Sequence, residues 1–83
     1  MEIWKFVLTT QHNQTLLLPK GPILDVQVQN DTIVVWVTNN PVKVNVHFIL
    51  VNTGEEFDPT GYRFIKTVQL LDGRYVKHVF MRE

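Results

Sequence analysis

Residues 52–63 bring together the side chains that are best suited to hold a small ligand. Tyr62 and Phe57 offer aromatic faces for stacking, and Arg63 offers a guanidinium that can grip an anion through two hydrogen bonds. Thr53-Gly54 allows close approach to the backbone, because glycine has no side chain. Twelve residues form a long connection in a chain of this size, and long loops on a rigid framework carry binding functions. The same composition also fits a plain surface loop in which Phe57 plugs the core.

Two residues outside this segment are candidates for the same site. Trp36 lies in a run of β-branched residues, where it can offer a stacking platform for a base or pack in the core or an oligomer interface. Lys77 is one of several basic residues near the end of the chain, where they form either a site for a phosphate-bearing ligand or a solvated strand face. The predicted ligand-binding residues are Trp36, Thr53, Gly54, Phe57, Tyr62, Arg63 and Lys77.

The remaining titratable residues do not indicate metal binding or catalysis. Glu55, Glu56 and Asp58 lack the alternating spacing of a calcium loop. The histidines lie in separate segments without the spacing of a zinc site: His12, His47 and His78. We expect the last two to be solvated or hydrogen-bonded. The chain contains neither serine nor cysteine, the commonest nucleophiles. We therefore expect no metal, no cofactor and no enzymatic activity.

The elements that position these residues are strands. Apolar and polar residues alternate along most of the chain, and no window shows the 3.6-residue period of an amphipathic helix. The predicted extended segments are 2–9, 14–18, 23–29, 32–38, 42–51, 64–71 and 74–81. Asn30-Asp31 and Asp72-Gly73 are typical of two-residue hairpin turns. The pattern predicts an all-β fold, a small antiparallel sandwich or partly open barrel of six to seven strands.

The segment from Ile23 to Gln29 has the cleanest alternation. Pro19-Lys20-Gly21-Pro22 marks its start, since proline removes a backbone donor and interrupts regular structure. Leu24, Val26 and Val28 share one face, and the intervening polar residues share the other. This pattern predicts that Leu24, Val26 and Val28 face the core.

The composition limits the class of protein. Eighty-three residues make one β-rich domain, residues 1–83, which buries only about 60–65% of its unfolded surface and is marginal as a monomer. Eight basic and eight acidic side chains give no net charge, whereas proteins that bind long nucleic acids are basic. Apolar runs are too short to span a bilayer, and no secretory signal pattern is present. We expect a soluble intracellular protein that binds neither membranes nor long nucleic acids.

Several strands are apolar on both faces. Ile33, Val35 and Val37 alternate with Val34 and Trp36, although a sheet with one wet face does not need apolar residues on both sides. Either the sheet curls so that both faces are covered, or one face is buried against another copy. We expect a homo-oligomer.

The chain resembles a family of small proteins of unknown function encoded by tailed bacteriophages. The matching motifs are Ile3–Phe6, Leu18–Gly21, Ile23–Gln29, Trp36, Thr53-Gly54, Thr67–Gln69 and Gly73–Phe80. Pro22 departs from the family pattern, in which a small residue such as alanine is usual. The resemblance implies action in the host bacterial cytoplasm or in the virion, and it supplies no catalytic residues.

Two functions fit these observations. The leading hypothesis is a non-enzymatic phage accessory protein, an oligomeric sponge that sequesters a cyclic nucleotide immune signal. The alternative is a protein-interaction or virion-associated module that binds a host or phage protein through its sheet face. An enzyme is the third and least favoured class.

Overall fold

The computed structural model describes residues 1–83, which form seven strands and no helix. The strands are β1 Ile3–Leu8, β2 Asn13–Pro19, β3 Ile23–Gln29, β4 Thr32–Thr38, β5 Lys43–Asn52, β6 Tyr62–Leu70 and β7 Tyr75–Arg82. No helix therefore has the length and apolar character needed to cross a membrane.

The strands form two open antiparallel sheets. One has the order β1-β4-β3 and the other the order β2-β5-β7-β6, so the chain changes sheet after β1, after β2 and after β4. This arrangement confirms the predicted all-β class. Residues that alternate along a strand point to opposite faces, so each sheet has one face toward the core and one outer face.

The core lies between the two sheets. Its members come from both sheets, and Phe48 and Val26 are fully buried within it. The core cluster consists of Leu8, Leu18, Val26, Ile33, Val35, Val37, Phe48, Leu50, Val68, Leu70 and Val79. Val34, Ile49 and Val51 are also buried, although they alternate with core residues. Some of the apolar residues on the second face of the strands are therefore already buried within the single chain.

A β-bulge changes the predicted face of β3. Ile23 pairs with Val37 and Asp25 pairs with Trp36, so Leu24 has no partner in β4. A bulge inserts one residue and shifts the alternation beyond it. Ile23 consequently packs against the core, while Leu24 is 46% exposed. The prediction that Leu24 faces the core was wrong.

The two hairpin turns differ from each other. Asn30 and Asp31 have φ angles of 49° and 57°, which confirms the predicted two-residue turn. At the second turn, however, Leu70 pairs with Tyr75, so four residues rather than Asp72-Gly73 alone make the connection. Positive φ extends back to Leu71, where the sequence carries no turn signal.

Two of the four sheet edges pack against each other. Lys66 of β6 lies 3.0 Å from an Asp25 oxygen of β3, and the Leu71 amide donates to Asp31 Oδ1 at 3.0 Å. The contact between β3 and β6 closes one side of the sandwich through side chains. β1 and β2 are the outermost strands on the other side of their sheets.

Candidate functional site

The segment between β5 and β6 packs onto the outer face of the four-stranded sheet. Val79 is buried in the core, so its neighbour Phe80 points to the outer face. Phe57 lies on Phe80, with ring centroids 4.8 Å apart, and meets the Tyr62 ring edge-on at 5.5 Å. Phe57 therefore anchors the loop from outside the sheet, and it does not plug the core between the sheets.

The loop and the sheet form a shallow, open concavity of about 390 Å³, which we call the loop pocket. It is lined by Val51, Asn52, Thr53, Gly54, Glu55, Phe57, Phe64, His78 and Phe80. The Phe64 and Phe80 rings are in edge contact at 5.5 Å. Phe64 remains 52% exposed, so the part of its ring that does not touch Phe80 is available to a ligand.

His78 fixes one wall of the loop pocket. Its Nε2 lies 2.8 Å from the Thr53 hydroxyl, and its Nδ1 lies 2.9 Å from the Thr67 hydroxyl. A hydroxyl can donate or accept, so both ring nitrogens keep partners in either tautomer. The imidazole thus ties the start of the loop to β6 and β7, as expected for a hydrogen-bonded histidine.

The rim of the loop pocket is acidic. Glu55 lines the pocket, Glu56 and Asp58 line an adjoining depression on the other side of Phe57, and no lysine or arginine is among the lining residues. The pKa of Asp58 is lowered by hydrogen bonds from the Thr60 hydroxyl and the Thr60 amide. The nearby basic groups are His12, 3.5 Å from Glu55, His78 in the pocket wall, and Lys77, which is bonded to Asn52. The pocket accordingly favours a cation and disfavours a phosphate.

The structure brings together four of the predicted site residues. Thr53, Gly54 and Phe57 line the loop pocket, and Tyr62 supports Phe57 from the first position of β6. Gly54 has a φ of 86°, and no other atom lies within 4 Å of the position that a Cβ would occupy. Glycine is thus required there by the backbone conformation, and it leaves the pocket wall open.

The other three predicted residues lie elsewhere. Arg63 follows Tyr62 in β6 and pairs with Met81, so it points to the opposite face of the sheet. Lys77 donates from Nζ to Asn52 Oδ1 at 2.6 Å and lines a different depression. Trp36 belongs to the three-stranded sheet, with Lys5 Nζ 5.8 Å from its ring. The predicted anion clamp and stacking platform are therefore separated from the aromatic pocket.

Phe64, His78 and Phe80 were missed as pocket residues. The alternation of the two final strands supplied only part of the signal. Tyr62 and Phe64 are two residues apart, as are His78 and Phe80, so each pair shares a strand face. Phe64 meets Phe80, however, only because the register shifts between Phe64 and Lys66; uninterrupted alternation would place Phe64 on the core face with Val68 and Leu70.

A second concavity, which we call the β5 cleft, has a volume of about 450 Å³. It is lined by Thr15, Pro19, Gly21, Ile23, Asn45, Val46, His47, Met81, Arg82 and Glu83. It forms where the pairing of β5 with β7 stops at Phe48 and Met81. Arg82 lies over the Tyr62 ring at 5.6 Å and bonds the Tyr62 hydroxyl at 3.2 Å. The cleft thus combines an arginine with hydrogen-bonding side chains and an apolar wall, as does a smaller depression lined by Asn52, Thr53, Arg74, Tyr75 and Val76.

His47 is also fixed on both sides. Its Nε2 is 2.7 Å from Asn13 Oδ1, which can only accept, so Nε2 donates. In the neutral ring Nδ1 then accepts from the Thr15 hydroxyl at 2.9 Å. No group of three histidine or acidic side chains is arranged to hold a metal ion.

Comparison with known proteins identifies one relationship. The model of the family described as "Domain of unknown function (DUF7352)" matches residues 1–83. No curated protein and no solved structure matches the chain. Since the family model covers the whole described sequence, the chain belongs to the DUF7352 family.

Proposed function

We propose that this protein is an interaction module that binds a basic segment of a partner protein at the loop pocket. The observation that carries this proposal is the exposed Phe64 ring in a pocket lined by Glu55 and adjoined by Glu56 and Asp58. An arginine or lysine side chain can lay its aliphatic part on the phenylalanine rings and direct its charge to the carboxylates. A neutral or acidic segment gains only the first of these contacts.

The surroundings of the loop pocket suit an extended protein segment. Phe64, Phe80 and His78 lie on the outer face of adjacent strands, so the pocket continues onto an open sheet surface. Aromatic anchors surrounded by polar residues are characteristic of protein interfaces. The phage resemblance makes a host or phage protein the expected partner and the host bacterial cytoplasm the expected location.

The binding test uses ¹⁵N-labelled protein and two short synthetic peptides. One contains lysine, arginine and tryptophan; the other has glutamate in place of each basic residue. We expect the basic peptide alone to shift the NMR signals of Thr53, Phe64 and His78. Added salt should weaken binding, because exposed charge pairs are screened. Equal binding of both peptides, or shifts confined to other surfaces, would contradict the proposal.

Phe64→Ala and Leu17→Ala form a matched pair for this experiment. Both residues are exposed on the outer face of the same sheet, but only Phe64 lines the loop pocket. We expect Phe64→Ala to weaken binding of the basic peptide about tenfold, which is a loss of roughly 1.4 kcal/mol of binding free energy. Leu17→Ala should bind as the unmodified protein does, and a similar loss in both variants would indicate non-specific contact.

Sequestration of a cyclic nucleotide is a second candidate, favoured by the β5 cleft rather than by the loop pocket. Arg82 can pair with a phosphate there, while Asn45 and Thr15 offer hydrogen bonds to a base or ribose. Isothermal titration with cyclic dinucleotides, cyclic oligonucleotides and cyclic ADP-ribose isomers tests this candidate. We expect Arg82→Ala to abolish the heat of any nucleotide that binds. Absence of heat from the whole panel would exclude these ligands.

A further inference from the structure

The outer edge of β1 presents unpaired backbone groups. The Asn39 amide donates to the Glu2 carbonyl at 2.8 Å, in line with the register that pairs Ile3 with Thr38. In an antiparallel pair the bonded positions alternate, so Trp4, Phe6 and Leu8 also bond toward β4. The N–H and C=O groups of Ile3, Lys5 and Val7 therefore point away from β4, where no other strand of the chain lies.

The sequence of this edge is symmetric about Lys5. Ile3 and Val7 are both β-branched, and Trp4 and Phe6 are both aromatic. If a second β1 runs antiparallel with the two-fold axis at Lys5, Ile3 of each copy faces Val7 of the other. Trp4 likewise faces Phe6. β-Branched pairs and aromatic pairs across strands are the combinations that stabilise sheets.

Only one register joins the free backbone groups along the whole strand. Bonded pairs must form between the odd-numbered residues, because these carry the free groups. Pairing centred on Lys5 uses Ile3, Lys5 and Val7 of both copies and forms about six hydrogen bonds. A shift of two residues either way places Lys5 opposite an apolar residue and loses part of the ladder.

Lysine side chains on edge strands commonly prevent pairing with another chain, but Lys5 does not protect the β1 edge in this way. Its Nζ donates to Gln29 Oε1 at 3.2 Å and lies 5.8 Å from the Trp36 ring. Trp36 lies on β4 and Gln29 on β3, so the ammonium leans across the sheet, away from the free edge of β1. The two Lys5 charges of a symmetric pair would consequently point in opposite directions, away from the axis.

We infer that two copies of the chain associate through antiparallel pairing of β1 with β1, which joins their three-stranded sheets into one six-stranded sheet. Ile3 and Val7 are 55% and 54% exposed in the single chain, and each would gain an apolar neighbour. This inference gives the expected homo-oligomer a defined interface. It does not depend on the proposed function, since the loop pocket lies on the other sheet.

The open edge of β2 lacks the symmetric apolar sequence of β1, and it serves as a control edge within the same chain. The Leu50 amide donates to the His12 carbonyl, so the free backbone groups of β2 belong to Asn13, Thr15 and Leu17. The side chains of Asn13 and Thr15 are engaged with His47. A symmetric pairing of this edge would thus bring polar, already bonded side chains together.

Sedimentation velocity of the full chain tests the association. One strand pair is smaller than a typical stable interface, so we expect the mass to rise from 9.7 kDa toward twice that value between about 1 and 500 µM. Lys5→Pro removes a free edge donor without removing a bond to β4, and it should keep the protein monomeric. Leu17→Pro makes the equivalent change in β2 and should leave association intact. Circular dichroism checks that both variants remain folded.

A cross-linking experiment tests the register itself. The chain has no cysteine, so any disulfide in a single-cysteine variant joins two copies. At a bonded antiparallel pair the Cα atoms lie about 5.5 Å apart, within reach of a disulfide. We expect Lys5→Cys to form a covalent dimer under mild oxidation and Leu17→Cys to stay largely monomeric. A monomer at every concentration, equal cross-linking of both variants, or a dimer that survives Lys5→Pro would overturn the inference.

Discussion

Asp25 is the carboxylate most closely connected to the fold. Lys66 donates to it from β6 at 3.0 Å, and the Val26 amide and the Gln27 side chain donate at 2.8 Å each. The hydrogen bond from Lys66 contributes most to lowering the pKa of Asp25, and the hydrogen bond from the Val26 amide contributes next. Because β3 and β6 belong to different sheets, this ion pair helps to hold the sandwich together along one side.

Asp25→Asn should lower the free energy of unfolding at neutral pH by about 0.2–1 kcal/mol, the range for a solvent-screened ion pair. A lowered pKa in the folded state means that the ionised form stabilises the fold above the unfolded value near 3.8. This stabilisation is lost as the pH falls through the folded pKa. Urea titrations at neutral and strongly acidic pH should therefore show a difference between the two proteins that disappears in acid.

The Lys66→Met background supplies the control for Asp25→Asn. Without the ammonium, the substitution should cost less than it does in the unmodified chain. An equal cost in both backgrounds would show that the amide contacts, rather than the ion pair, account for the effect.

Residue types alone predicted part of the candidate site. Thr53, Gly54 and Phe57 were found because turn residues and aromatics concentrate in a long connection. Arg63 was assigned to the same site because it is adjacent to Tyr62 in sequence. The two residues belong to a strand, however, and adjacent strand residues point to opposite faces. Phe64 was overlooked because a register shift between Phe64 and Lys66, which sequence spacing does not reveal, turns it to the outer face.

The bulge in β3 is the main departure at the level of elements. Strand extents followed from alternation and turn residues, so most predicted ends agree with the structure to within about two residues. A bulge adds a single residue, and Ile23-Leu24 contains two apolar residues that can each occupy a core position. The choice between them depends on the register with β4, which sequence spacing does not reveal.

Ile23→Ala and Leu24→Ala separate the two assignments. Ile23 packs against the core, and its truncation should lower the free energy of unfolding by about 2 kcal/mol. Leu24 is exposed at the bulge, and its truncation should change stability by no more than about 0.5 kcal/mol. Chemical denaturation measures both. A larger loss in Leu24→Ala would mean that the alternation continues through β3 without a bulge.

At the scale of the whole molecule, stability depends on a thin core between two sheets. A chain of 83 residues has a free energy of unfolding of about 4–12 kcal/mol. One buried leucine is a large part of this total. The pairing of the sheets also could not be derived from the sequence, because alternation identifies strands but not their order.

Leu50→Ala should lower the free energy of unfolding by about 2–5 kcal/mol, since Leu50 is 1% exposed in the core. Leu17→Ala removes the same atoms from a side chain that is 62% exposed and should change stability by less than about 0.5 kcal/mol. Thermal and urea denaturation of both variants, at a concentration where the chain is monomeric, measure the difference. Similar losses would indicate that β2 is covered on its outer face in solution.

The strand order has a consequence for synthesis on the ribosome. β3 and β4 are consecutive and can form a hairpin as soon as both emerge, whereas β1 pairs only with β4. The segment Ile3–Leu8 therefore leaves the exit tunnel long before its partner, residues 33–38, is available. During that interval both edges of this apolar strand are open in the nascent chain. Neighbouring ribosomes on one messenger RNA would hold such segments close together. Premature pairing of β1 between two nascent chains therefore has to be avoided during the interval before β4 emerges.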